Sequence, residues 1–368
     1  MSPVEDYFVP WIKGVPMYIS PHIELAWRNP SLARMMSNEN PIPPSENVLA
    51  AIEKYARVAN RYMDQGLLVR SKIAELNGLP GPENVLLGNG SSEIFDMVFR
   101  SFVAPGEEVI QQTPCFGIYK LRCTVVGGKL VSTSMVYKDK QILFDADAIL
   151  NAITPKTKVI VVAHPNNPTG NFMDEKDIIR IAETGIPFIV DEAYIEYSGM
   201  NLERSMVKLV KDYKNVIISR TLSKAYGLAG LRFGYALGDR DVIMQIAATL
   251  IPWNVSTIAM WAALAALEDR ESLRQRVEFN RREIEFYKQS LADIPGLVVY
   301  DSYGNYMLFD GTDTGKPGND MIKYAEQHGI ILRGQEEIFG RNGWWRVTIG
   351  THEENEKLVR LAHEFYAQ

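Results

Sequence analysis

Three short runs in the middle of the chain are almost wholly apolar: Val159 to Ala163, Pro187 to Val190 and Val216 to Ile218. Runs without polar alternation are how strands buried on both faces of a parallel sheet read. Stretches of helical spacing lie between them, such as Glu175 to Thr184. Upstream, Asn84 to Leu87 predicts another strand, and Gly88, Asn89 and Gly90 a tight turn. Ser91 or Ser92 is then expected to cap a helix with an apolar face of Ile94, Phe95, Val98, Phe99 and Phe102. Glu108 to Gln112 is strand-like, and from Ser45 onward Val48, Leu49, Ile52, Tyr55 and Ala56 recur at helical spacing.

The two ends of the chain have a different texture. Seven prolines between Pro10 and Pro44 interrupt regular structure and predict an arm that wraps over a surface. Asp269 to Leu291 predicts a long charged helix, followed by short strands at Leu297 to Tyr300, Tyr306 to Phe309 and Ile330 to Arg333, then a last helical region. The whole predicts an α/β fold: a large domain over residues 46–267 with a mostly parallel central sheet, and a smaller α+β domain over residues 268–368, joined by the arm at residues 1–45. No internal repeat or low-complexity tract is present.

Bulk properties narrow the function. A chain of 368 residues is long enough for two domains. Its net charge of −6 and lack of a polybasic run argue against a nucleic-acid partner. Cys115 and Cys123 are too few for a disulfide framework and are expected to be reduced. The five histidines show no metal-ligand spacing, so no metal is expected. With no signal-like N-terminus and no apolar run of the roughly 18–20 residues needed to cross a bilayer, the expectation is a cytoplasmic protein without a membrane partner.

The chemistry gathers where the predicted strands end, which is where open α/β sheets bind ligands. Ser219 to Tyr235 reads SRTLSKAYGLAGLRFGY. It sets Lys224 beside Thr221 and Ser223, with a glycine-rich turn and Arg232 after it. A lysine that forms a Schiff base next to a phosphate needs such neighbours: an amine anchor, hydroxyls and an arginine for the phosphate, and glycines for close approach. The combination points to pyridoxal phosphate. His164 to Gly170, HPNNPTG, forms a rigid loop that offers the Asn167 amide. Asp191, in DEAY, closes a buried strand and needs a partner, for which a protonated pyridine nitrogen is suited. Tyr194 can donate to the ring oxygen, Phe116 in PCFGIY can stack on the ring, and Arg346 in WWRVTIGT can grip a carboxylate. Each piece alone also has a plain structural reading: a capped helix for LGNGSSE, a strand-end ion pair or helix cap for Asp191, a core aromatic for Phe116, a surface salt bridge for Arg346.

Taken together the chain resembles a fold-type I pyridoxal-phosphate-dependent aminotransferase of the histidinol-phosphate aminotransferase branch. SNENP (Ser37 to Pro41), LGNGSSE (Leu87 to Glu93), PNNPTG, VDEAYIEY, RTLSKAYGLAGLRFGY, GNY (Gly304 to Tyr306), GIILR (Gly329 to Arg333) and RVTIGT (Arg346 to Thr351) carry the likeness in family order. The resemblance implies that Lys224 is the covalent anchor and proton carrier, that Asp191 pairs with the pyridine nitrogen, and that Tyr194 and Asn167 bond the ring oxygen under Phe116. Ser91, Ser92, Thr221, Ser223 and Arg232 would hold the cofactor phosphate, with Tyr62 reaching across to the neighbouring subunit of a homodimer with shared active sites. Arg346 would hold the α-carboxylate, with Asn38 and Arg333 also on the substrate and Arg333 at its distal group. The implied reaction is ping-pong transfer of an amino group from an amino donor, such as an amino acid or histidinol phosphate, to a 2-oxo acid.

Three departures bear on the substrate. Ser92 stands where the family pattern has aspartate, Met63 where it commonly has proline, and the arm is not obviously the family's. Asp310 follows the GNY strand, and an acid facing a phosphate ester would repel it. Trp253, Trp344 and Trp345 raise an aromatic amino donor as an alternative. Decarboxylation of a phosphorylated amino acid is the other alternative, since which bond breaks depends on which one stands perpendicular to the ring. A nucleotide-binding oxidoreductase is disfavoured: LGNGSSE lacks the third glycine of the dinucleotide fingerprint, and GLAGLRFG lacks the P-loop ending.

Overall fold

The computed structural model describes residues 3–368. Its central sheet has seven strands, in the spatial order Val85–Asn89, Phe233–Leu237, Val216–Thr221, Phe188–Asp191, Thr157–Ala163, Glu108–Thr113 and Lys129–Ser134. Phe233–Leu237 runs antiparallel to both neighbours, and the other described pairings in this sheet are parallel. The apolar runs are strands because both faces are covered. Ile160, Val162, Val190 and Ile218 enter one core with the helix Thr257–Glu268, while Val161, Ile189 and Ile217 enter another under the helix Ser91–Phe102. Successive residues thus serve opposite cores, as the two-residue period of a strand requires.

A four-stranded antiparallel sheet, ordered Val298–Val299, Tyr306–Asp310, Trp344–Thr348, Arg333–Gly334, forms a separate body with its own core around Phe309, Trp345, Val347 and Leu358. The 21-residue helix Arg270–Ser290 leads into it, its first turn capped by Asp269, whose carboxylate accepts from Ser272 N. The last helix, His352–Ala367, begins with a capping box between Thr351 and Glu354.

Several expectations are corrected. The turn after the first strand starts later than expected, because the strand runs on to Asn89, and Gly90 rather than a serine precedes the helix. Gly90 has φ 78°, a conformation that a β-carbon disfavours. The Ile330 to Arg333 strand is split in two. Ile330–Ile331 pairs with Ala33–Arg34 of the arm, whereas Arg333–Gly334 joins the four-stranded sheet. The arm is not wholly irregular: Pro21–Arg28 is a helix, and Trp11 is pinned to the large body by its indole N–H, which donates to Val125 O at 3.2 Å. The edge strand Lys129–Ser134 and the antiparallel Phe233–Leu237 were not foreseen. The first has no buried apolar run, and the second is interrupted by Gly234. That glycine is required, since a Cβ there would strike the backbone of Gly90 and Ser91.

Candidate active site

The carboxyl ends of the central strands, the arm and the small sheet enclose a cavity of about 540 Å³. Lys224 lies at its floor, three residues beyond the strand Val216–Thr221. Its Nζ donates to the carbonyls of Ser37 (3.2 Å) and Asn38 (3.1 Å). Burial, reinforced by the charge of Arg346, lowers its pKa to about 8, so the amine loses its proton far more readily than an exposed lysine.

Asp191 ends the next strand, in register with Ser219. Its Oδ2 accepts from Tyr119 Oη at 2.5 Å, while Oδ1 is buried without a hydrogen-bond partner among the described residues. Burial raises this carboxyl to about 6. Tyr194 Oη lies between two amides, accepting from Asn38 Nδ2 at 2.9 Å and Asn167 Nδ2 at 3.4 Å, and burial raises its pKa to about 12. Asn38 reaches Tyr194 from a left-handed backbone (φ 54°), and Thr348 Oγ1 accepts from its backbone N–H at 2.8 Å. Arg346, in the middle of its strand, donates to Asn167 Oδ1 (2.6 Å) and Met36 O (2.9 Å), and its Nε is buried and unpartnered among the described residues.

A second cluster forms at the N-terminus of the helix Ser91–Phe102. Ser91, Ser92, Thr221, Ser223 and Arg232 all line the cavity there. Thr221 Oγ1 donates to Ser223 Oγ at 2.9 Å, and Arg232 Nη1 donates to Ala229 O at 3.0 Å and lies 3.4 Å from Ser223 Oγ. A Cβ on Gly90 would collide with the Arg232 guanidinium, so the glycine keeps that guanidinium beside the helix terminus. Phe116 lines the cavity edge-on to Tyr119, with ring centroids 5.9 Å apart.

Thus the structure brings Lys224, Asp191, Tyr194, Asn167, Phe116, Ser91, Ser92, Thr221, Ser223, Arg232, Arg346, Arg333 and Asn38 to one cavity. Tyr62 is not among its lining residues; it is 79% exposed and stacks on Trp253 with centroids 4.4 Å apart.

The model of the family described as aminotransferase class I and II matches residues 31–361. Histidinol-phosphate aminotransferases from Methanothermobacter thermautotrophicus and Methanococcoides burtonii are 31% and 36% identical to the chain, each over 90% of it and over 88% and 89% of their own lengths. The crystal structure of the Sinorhizobium meliloti histidinol-phosphate aminotransferase in complex with pyridoxal-5'-phosphate superposes with a TM-score of 0.86 at 25% identity, covering 98% of both chains. The chain belongs to the aminotransferase class I and II family.

In this aminotransferase the features that argued for other substrates lie elsewhere. Trp344 and Trp345 are buried in packing around the small sheet, and neither they nor Trp253 line the cavity. Trp27 of the arm does, stacked over the Arg34 guanidinium at 5.1 Å. Asp310 is also turned away: it accepts from Thr312 N at 2.9 Å and from Tyr137 Oη at 3.3 Å.

Sequence reasoning missed Tyr119 and the bidentate Arg34–Glu39 pair (3.0 and 2.8 Å) at the cavity wall. It also missed the buried set beneath the site, where Arg220 donates to Glu192 (2.9 Å), Asn77 (2.8 Å) and Ser205 (2.7 Å). A signal existed for Tyr119, which follows Phe116 by three residues, one helical turn.

Proposed function

We propose that the enzyme uses pyridoxal phosphate, held by Lys224, to move an amino group from a donor with a distal phosphate, histidinol phosphate first among candidates, to a 2-oxo acid. The observation that carries the donor class is Arg333. It lines the cavity, sits opposite Arg346 in the strand register, and has no ion-pair partner among the described residues, since Glu39, the nearby carboxylate, is taken up by Arg34. Two arginines set side by side by a cross-strand pairing suit the double charge of a phosphate. The names of the relatives agree with this reading.

The residues also fit the cofactor. The buried, unpartnered Asp191 Oδ1 lacks a cationic N–H donor, which a protonated pyridine nitrogen supplies. The helix N-terminus with Ser91, Ser92, Thr221, Ser223 and Arg232 suits a phosphate. When bound, pyridoxal phosphate supplies an electron sink that makes the donor's α-proton acidic. The chain supplies the rest. Arg346 would hold an α-carboxylate where the donor has one and Arg333 a phosphate, with Cα turned to Lys224. Lys224 Nζ, with its lowered pKa, would take up and hold the α-proton once the donor's amine has displaced it from the cofactor. Asn167 and Tyr194 hold the ring oxygen, and Phe116 covers the ring.

The same reading assigns residues 46–267 to the cofactor domain and residues 268–368, with the arm at 1–45, to the substrate-facing domain. A homodimer would use the exposed Tyr62 to complete the partner's phosphate site. Among the described residues no helix is long and apolar enough to cross a membrane, in keeping with a cytoplasmic enzyme.

The test is a panel of amino donors with 2-oxoglutarate, followed by the absorbance change of the loaded enzyme. Histidinol phosphate should give the highest kcat/KM and a reversible colour change. Release of carbon dioxide without reversibility would replace transamination by decarboxylation, and preference for phenylalanine or tyrosine would overturn the donor class.

A further inference from the structure

Gln335 follows Arg333 by two positions, just past the strand Arg333–Gly334 and before the short helix Glu336–Phe339. Both line the cavity. Gln335 is 1% exposed, and its amide oxygen is buried with no hydrogen-bond partner among the described residues. A polar group in that state is costly unless a ligand satisfies it. The segment is fixed rather than loose. Gln335 N donates to Trp344 O at 3.3 Å, and Phe339, one turn on, stacks on Trp344 with centroids 4.0 Å apart. The adjacent acid does not compete for the space: Glu336 turns to the Asn319 amide and to Gly343 N, which donates to it at 2.9 Å.

We propose that Gln335 is a specificity-determining residue that reads the distal phosphate of the amino donor together with Arg333. This deepens the donor assignment above and rests on it. A guanidinium occupies two oxygens of an oxyanion in its fork. A phosphate has a third oxygen for the amide N–H and, as the monoanion, an O–H for the amide oxygen. A carboxylate has neither, so the Arg333–Gln335 pair selects a phosphate over a carboxylate at that end.

The experiment compares wild type, Gln335→Leu and Arg333→Ala, all loaded with cofactor. It measures KM and kcat for histidinol phosphate and alanine, and inhibition of the alanine reaction by inorganic phosphate. Gln335→Leu should raise both KM for histidinol phosphate and the inhibition constant of phosphate roughly tenfold or more. It should leave kcat and both alanine constants within about twofold. Equal losses with alanine would make Gln335 merely structural and overturn the proposal. Unchanged phosphate constants in Gln335→Leu beside a large loss in Arg333→Ala would overturn the Gln335 reading alone. A wild type that uses alanine but is indifferent to histidinol phosphate and to phosphate would overturn the donor assignment and, with it, this one.

Discussion

The two ends of the cavity are built on opposite plans. At the floor, Lys224, Asp191 and Thr221 stand on or just after adjacent strands of one sheet, and a buried set of Glu192, Arg220 and Ser205 ties those strands together from behind. At the far end, Arg333 comes from the small sheet, Gln335 from the turn just after it, and Trp27 and Arg34 from the arm, all lining the cavity. The floor is a place where geometry is over-determined, which suits chemistry that must be aligned. The far end leaves the Gln335 amide oxygen unpaired among the described residues, which suits selection by a ligand.

The contrast is sharpest under mutation. Lys224→Ala should reduce transamination by about 10³- to 10⁴-fold or more, because it removes both anchor and base; single-turnover absorbance would detect this, and a loss under tenfold would dissolve the special status of the floor. Glu192→Ala strands the buried Arg220 charge and should cost roughly 3–5 kcal/mol of stability in urea unfolding.

Asp191→Asn should act in the opposite direction on the cofactor-free protein. The carboxyl titrates at about 6 in the fold, against an ordinary 3.8, because burial opposes its charge. Above pH 6 the folded state therefore carries a penalty that disappears as pH falls toward 4. The variant should gain roughly 2–3 kcal/mol at pH 8 and almost nothing at pH 4, while binding the cofactor more weakly. Arg333→Ala, at the other end, should raise KM for a phosphorylated donor roughly ten- to hundredfold with little change in kcat or stability. A stability loss as large as that of Glu192→Ala would erase the contrast. The smallest effect concerns rate: capture of pyridoxal phosphate by the cofactor-free chain should accelerate with pH through about 8 rather than continuing to climb toward 10.5, since only the neutral amine attacks.

The floor was largely legible in the sequence because its parts are local. An apolar run makes a strand, its carboxyl end presents the next polar residue, and glycines permit the turn; Asp191, Asn167 and Lys224 were found by that logic alone. The far end was read less well. Arg333 stood out only through a likeness, and Asp310, Trp344 and Trp345 drew notice by nearness in sequence although their side chains point away from the cavity. Nothing local says that Ile330–Ile331 and Arg333–Gly334 belong to two different sheets.

What the chain alone determined is most of the buried parallel strands and the lysine expected to be the reactive amine, because periodicity and backbone preference act over a few residues. What only tertiary structure decided is which atoms are left without partners among the described residues, such as Asp191 Oδ1 and the Gln335 amide oxygen, and that Arg34 takes up Glu39. Such atoms arise from the way separate segments pack together, and burial, not sequence, makes an unpaired polar atom costly enough to choose a ligand.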